Sequence, residues 1–389
     1  MIDTSGIAEP LRLAAQSGDV PGVAAAAATT DGVFFEEAFG TRDRATGEPM
    51  TTDTVIWIAS MTKAVTGACA MQLVETGKLA LDDDIAGVLP ELGRIQVLDG
   101  FDNEGQPRLR APKRAITLRH LLTHTSGHAY DIWNPDVGHY MEATGTPSII
   151  TCRNGALITP LMSDPGEKWE YGIAIDWVGK AVEAVSGLTL SRYMQDNIFD
   201  PLGMTDTGFK IGEAQRQRLA KIHARTPSGL VSTDTEIPQD PEFHMGGGGL
   251  YSTVRDYLKF AQMILHGGTF DDTRVLKPET VAMMSRNAMG NLTCTPMKTA
   301  VPAYSNDVDF VDGMKWGLSF LINPEPMSTG RSAGSLAWAG LANSYYWIDP
   351  KRKIAGVYAT QILPFFDQKA VQAFVAFETA VYAAVGDSV

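Results

Sequence analysis

Cysteine is scarce in this sequence: Cys69, Cys152 and Cys294 are the three present in 389 residues. Three scattered cysteines exclude the disulfide framework that staples small secreted domains. Cys69 falls in an apolar helical pattern and reads as a reduced core thiol. No stretch reaches the ~20 apolar residues that a membrane helix needs. The first residues, Met1-Ile2-Asp3-Thr4-Ser5-Gly6, lack a basic run followed by an apolar one, so the expectation is a soluble cytoplasmic protein with no membrane partner. Positive charge is also short: 32 Lys and Arg stand against 45 Asp and Glu, a formal net charge of −13, with no Lys/Arg cluster. A nucleic-acid partner is therefore not expected, because a phosphate backbone calls for a basic face. Internal repeats, low-complexity tracts and an obvious linker are missing as well.

What is present is an ordinary globular balance, with 44% apolar and 20% charged residues. Gly22–Ala27 and Val33-Phe34-Phe35 flank the turn Thr30-Asp31-Gly32 and predict a hairpin. Val55–Ile58 is a further apolar run. Near Ser60 a helix begins, with Val65, Ala68, Cys69, Gln72 and Leu73 close to a 3.6-residue period and Gly77 as its stop. Helices are also predicted over Thr117–Thr123, Ile175–Ser186, Asp256–His266 and Lys369–Val385. Strands are predicted over Trp316–Ile322, Ser335–Ala339, Ser344–Ile348 and Ile354–Ala359. The order of strands, helices, then strands and helices again suggests an α/β domain of residues 1–80 and 231–389. A mainly helical lobe, residues 81–230, is inserted between them.

Ser60-Met61-Thr62-Lys63 carries the sharpest chemistry. Residues three apart on a helix share a face, so the Lys63 amine reaches the Ser60 hydroxyl. A serine hydroxyl becomes a nucleophile when a base takes its proton. Lysine serves as that base only when neutral, which desolvation or a nearby positive group brings about. At a helix start, free N–H groups favour negative charge, so the Ser60 N–H can help hold an oxyanion. Taken alone, the tetrad fits a capping serine and a solvated lysine better. Its flanks, Trp57-Ile58-Ala59 and Ala64-Val65, argue for burial of the amine.

Two further segments fit the same chemistry. Tyr171, in Trp169-Glu170-Tyr171-Gly172-Ile173, sits on a loop just before a helix, where a side chain projects into a cleft. Beside Lys⁺ it shifts toward phenolate and acts as base, or it donates a proton to the leaving group; a core aromatic fits the local pattern as well. Trp338-Ala339-Gly340-Leu341 follows a strand-like run. Its small residues let backbone approach a ligand, and the Leu341 N–H is the second candidate oxyanion donor.

Ser60-Met61-Thr62-Lys63 resembles the nucleophile motif of β-lactamases and penicillin-binding proteins. Tyr171-Gly172-Ile173 stands where their Tyr-x-Asn would be, and Trp338-Ala339-Gly340 where Lys-Thr-Gly would be. Ile116–Gly127 and Pro201-Leu202-Gly203-Met204 are similar to other landmarks of the superfamily. Ile173 replaces the asparagine and Trp338 the lysine, a pattern similar to the family VIII carboxylesterases. The resemblance implies an α/β sandwich with a central antiparallel sheet flanked by helices, a mainly helical lobe, and an active site between them. It implies a serine carboxylesterase for short acyl esters, with Ser60, Lys63 and Tyr171 catalytic. Trp338, Gly340, Ile173 and His124 would bind the substrate, a small-molecule ester, and no cofactor or metal would be needed. Replacing a cation by an indole would substitute an apolar stacking wall for charge pairing. A β-lactamase, D-amino-acid peptidase or acyltransferase on the same machinery is the alternative, and a non-catalytic acyl sensor is a second.

Three other motifs compete. Gly330-Arg331-Ser332-Ala333-Gly334 matches G-x-S-x-G, but a strand rather than a helix follows it, and the last histidine is His266. His120, His124 and His128 are four apart, yet Thr125-Ser126-Gly127 should end the helix before the third; structural roles fit better than a metal. Gly246–Gly249 lacks the G-K-[ST] of a phosphate loop and reads as a close-packed turn beside the site. The test between the two serines is direct. Ser60→Ala should lower hydrolysis of a short p-nitrophenyl ester about a thousandfold or more, while Ser332→Ala leaves it unchanged. Equal losses in steady-state assays would overturn the assignment.

Overall fold

The computed structural model describes residues 3–386, so Met1 and Ile2 of the N-terminal stretch lie outside the described residues. Its centre is an eight-stranded antiparallel sheet made from both chain ends. The strands are β1 (Gly22–Thr29), β2 (Gly32–Asp43), β3 (Glu48–Pro49), β4 (Lys315–Trp316), β5 (Leu321–Ile322), β6 (Leu336–Gly340), β7 (Ser344–Asp349) and β8 (Ile354–Ala359). Their order across the sheet is β4-β5-β6-β7-β8-β1-β2-β3. The expected hairpin is β1–β2. The single strand expected over 316–322 is instead two, because Ser319 turns the chain through a left-handed φ of 78°.

β1 is alanine-rich and buried along its whole length, whereas β2 alternates between partly buried and exposed positions. The reason is that helices cover both faces at the sheet centre. α1 (Ser5–Gln16) packs with the C-terminal helix α6 (Gln368–Val385), and α5 (Val254–Leu265) lies against β1, β7 and β8. Period-two alternation on β7 serves both layers: Tyr345 and Trp347 meet Phe374 of α6, while Tyr346 between them meets Tyr257 of α5.

α2 (Thr62–Glu75) is buried almost all round over its first ten residues. A helix apolar on every side lies between layers. Here α2 packs on α4 (Ala174–Ser186), so one end of the central helix is held between the two halves of the molecule. Residues 81–230 hold α3 (Leu118–Leu122) and α4, with the strand pair 97–101/107–110, and a second pair, 222–226/229–233, runs across the expected boundary at 230. No helix among the described residues is long and apolar enough to cross a membrane.

β6 meets the Ser60 turn at Gly340. A Cβ there would stand 2.4 Å from the Ile58 carbonyl oxygen and 2.4 Å from the Ser344 hydroxyl. Gly340→Ala should therefore cost about 2 kcal/mol, as a strained insertion into a packed core does. Urea unfolding checks this, and an unchanged midpoint would contradict the close approach.

Candidate active site

The chain enters the site through a strained turn. Ala59 has a φ of 44°, and Ala59–Met61 forms a short 3₁₀ turn before α2. A left-handed alanine costs roughly 1–2 kcal/mol, so its surroundings must hold it. They do. The Ile58 N–H binds the Leu250 carbonyl at 3.1 Å, and the Trp57 indole N–H binds the Gly248 carbonyl at 2.7 Å. The Met61 carbonyl accepts from the Tyr257 hydroxyl at 2.9 Å. The turn presents the Ser60 hydroxyl to a cleft while α2 carries Lys63 beneath it.

The Lys63 amine is the meeting point. It donates to Ser60 Oγ at 3.0 Å, to the Tyr130 hydroxyl at 3.0 Å and to the Gly247 carbonyl at 2.6 Å. Lys63 is 1% exposed, and this burial lowers its proton affinity. One charge opposes that shift. Asp176, on α4 and fully buried, raises the affinity of Lys63 across the Gly247 peptide: its Oδ1 accepts from the Gly247 N–H at 2.8 Å. Its other oxygen finds no hydrogen-bond partner among the described residues. Burial pushes the Asp176 carboxyl up, against the pull of Lys63 and the Gly247 N–H.

Tyr171 lies close enough to Ser60 for that side chain to lower the proton affinity of its phenol. The Lys63 nitrogen lies 4.8 Å from the Tyr171 ring centre. The Trp338 indole N–H donates to the Tyr171 hydroxyl at 2.9 Å. Burial raises the phenol well above its usual range, more than the Ser60 and Trp338 side chains lower it. Of the two roles the sequence left open for Tyr171, burial favours the O–H donor over the phenolate. The reading of Trp338 changes too, since its indole is a hydrogen-bond donor to Tyr171 as well as an aromatic wall.

The three expected side chains, Ser60, Lys63 and Tyr171, thus come together. A cleft of about 200 Å³ opens at Ser60, and its wall includes Trp57, Ile132, Trp133, Ile149, Tyr304 and Leu341. Leu341 lies just past the last β6–β7 pair, Gly340↔Ser344, so its N–H falls outside the ladder. The four expected substrate contacts are placed behind this wall. Trp338 and His124 pack on Tyr171, with ring centres at 4.9 and 4.7 Å; Gly340 abuts Ile58; Ile173 is buried at the start of α4. His124 is fully buried, and its charged form is disfavoured by burial and by Lys63. Ser332, in the loop before β6, stands apart from this cluster: its N–H binds Asp349 at the end of β7. Gly246–Gly249 forms the close-packed turn beside the site, and Gly247 supplies both peptide groups of the Lys63–Asp176 link.

Sequence reasoning missed Tyr130 and Asp176. Asp176 left a signal, as a lone carboxylate within the apolar run Ile173–Val178. Tyr130 left none, because its role depends on a loop folding over α2.

A nucleophile-ready serine, a desolvated amine and a buried phenol on this sheet define a serine-type enzyme. The chain belongs to the Beta-lactamase family, whose model matches residues 11–380. Monacolin J acid methylbutanoyltransferase of Aspergillus terreus is 33% identical, covering 98% of both chains. Lovastatin esterase of Penicillium rubens is 32% identical, covering 90% of this chain and 91% of its own. A mutant of the simvastatin synthase LovD from Aspergillus terreus superposes with a TM-score of 0.85 at 31% identity, over 97% of this chain and 94% of that one. The expected superfamily and central antiparallel sheet are borne out. The expectation of a plain esterase is not favoured, since acyltransferases stand among the most similar relatives.

Asp176→Asn removes the one charge that raises Lys63. The proton affinity of Lys63 should then fall further, by about one pKa unit. Titration of the Lys63 signal by NMR of the ¹³C-lysine-labelled protein checks this. An unmoved or raised midpoint would refute the coupling.

Proposed function

We propose that this enzyme transfers an acyl group from an ester or thioester to an alcohol through an acyl-Ser60 intermediate, with water as a competing acceptor. The observation that carries the reading is the Lys63 amine, 1% exposed and 3.0 Å from Ser60 Oγ. Burial favours its neutral form, which makes it the base. Ser60 Oγ attacks the acyl carbonyl carbon, and the Ser60 proton passes to Lys63. The oxyanion rests between the N–H groups of Ser60 and Leu341. As the intermediate collapses, the bond to the leaving oxygen or sulfur breaks, and that atom takes a proton relayed from Lys63 through the Tyr171 hydroxyl. The acceptor alcohol then reverses the path: it gives its proton to Lys63 through Tyr171, attacks the acyl-Ser60 carbon and releases Oγ, which takes the proton from Lys63 to restore the hydroxyl and the neutral amine.

Acyl transfer is preferred over hydrolysis for a physical reason. The wall of the cleft is largely apolar, with indole, isoleucine and methionine side chains around Ser60. Such a wall favours binding of an apolar alcohol over water at the acyl-enzyme. The methylbutanoyltransferase relative supports the same preference. Hydrolysis is the second reading, favoured by the similar identity of the lovastatin esterase.

The test is product partitioning. With a p-nitrophenyl acyl donor and an apolar cyclic alcohol, the new ester should exceed the free acid several-fold by chromatography. Tyr171→Phe should lower both products about a hundredfold or more, because the relay is lost. Free acid as the sole product would return the assignment to an esterase. Unchanged rates in Tyr171→Phe would remove Tyr171 from the mechanism.

A further inference from the structure

A second cavity, of about 430 Å³, opens between Arg114, Arg119, His120, Thr125, Gly166 and the Ala288–Leu292 loop. It shares no lining residue with the cleft at Ser60. The two are neighbours all the same. Ala288 binds the Trp316 carbonyl at 2.9 Å, and the Trp316 ring packs edge-on to His124, which packs on Tyr171.

The charged side chains of its lining are Arg114 and Arg119, beside His120 and the neutral Thr125 and Asn291, in a chain whose net charge is −13. His120 Nδ1 accepts from the Thr117 N–H at 3.2 Å, which leaves the ring proton on Nε2 and makes Nε2 a donor. A Cβ built on Gly166 would stand 3.1 Å from His120 Nε2 and 3.5 Å from Arg114 Nη1, so these two donors converge beside a residue with no side chain. Arg119 bonds Asp82 through Nε and Nη2, at 2.6 and 2.8 Å, and keeps Nη1 out of that pair. Arg114 has no ion pair among the described residues. The carboxylates flanking Gly166 are already engaged: Asp164 with Arg110 and Lys113, Glu167 with Lys113. Asp82 is paired with Arg119 alone among the described residues. His120 is held below the ordinary histidine range by burial first and then by Arg114, with Asp82 opposing and Arg119 adding to the shift.

We propose that this cavity binds a phosphoryl group, free or carried on an ester, through Arg114, Arg119 and His120 Nε2. Donors from three side chains suit a tetrahedral group with three free oxygens. A carboxylate would be met by a single guanidinium fork. The bound anion offsets the charge of Arg114 and favours the protonated ring of His120. Its place behind the His124–Trp316 layer makes it a site separate from acyl transfer, so the assignment stands or falls without the reaction at Ser60.

The experiment is an NMR titration of the His120 ring in the full chain, at constant ionic strength, with inorganic phosphate and, in parallel, phenyl phosphate. Phosphate should raise the His120 midpoint by about one pKa unit relative to chloride. Arg114→Gln, at an exposed position outside the catalytic cluster, should weaken binding about tenfold or more. A response to both ligands assigns an ester-borne group; a response to phosphate alone assigns the free ion. No difference between phosphate and chloride at His120, or an undiminished response in Arg114→Gln, overturns the site.

Discussion

The structure turns on one amine kept out of water. Lys63 reaches Ser60, Tyr130 and Gly247 at once, and these three bonds use all the donors of a lysine ammonium. A buried cation is costly unless it is paired, and the available charge, Asp176, acts across a peptide group rather than by direct contact. The amine is therefore held where its charged and neutral forms are close in free energy. That balance is what an acid–base group working near neutral pH requires.

Much of the surrounding architecture serves to hold that amine. α2 is buried on all sides because a solvated face would return water to Lys63. The strained Ala59 turn places Ser60 above it, and Gly340 lets β6 close to within van der Waals contact of the same turn. Behind Tyr171 stand Trp338, His124, Trp169 and Trp316, with ring centres within 6.3 Å of it. This aromatic layer desolvates the phenol and keeps its proton on. Trp338, where the β-lactamase pattern has a lysine, orients that phenol without adding a charge. The cleft in front of Ser60 is lined largely by apolar side chains, as is the layer behind it.

Much of this was legible in the residues. The Ser60–Lys63 spacing, the Asp-Gly hairpin, the strands at 336–340, 344–349 and 354–359 and the terminal helix all express local periods of 3.6 or 2. Local period is what a linear pattern records. Ile173, Gly340, Trp338 and His124 were read as substrate contacts by position in a motif. The folded chain places them behind the cleft wall, because motif position does not specify which way a side chain, or the backbone at Gly340, faces. The strand expected over 316–322 broke at Ser319, where the φ is set by neighbours distant in sequence.

The sequence by itself determined the fold family, through its resemblance to known motifs, and the pairing of Ser60 with Lys63, because three-residue spacing in helical backbone keeps them one turn apart whatever surrounds them. Only the tertiary structure decided the protonation of the site. Proton affinity depends on how much water reaches Lys63, Asp176 and Tyr171, and that follows from segments about 70 to 180 residues apart closing over them. Tyr130 and the Gly247 peptide are the plainest cases: neither carries a local mark of its role, and both acquire it by being brought against α2.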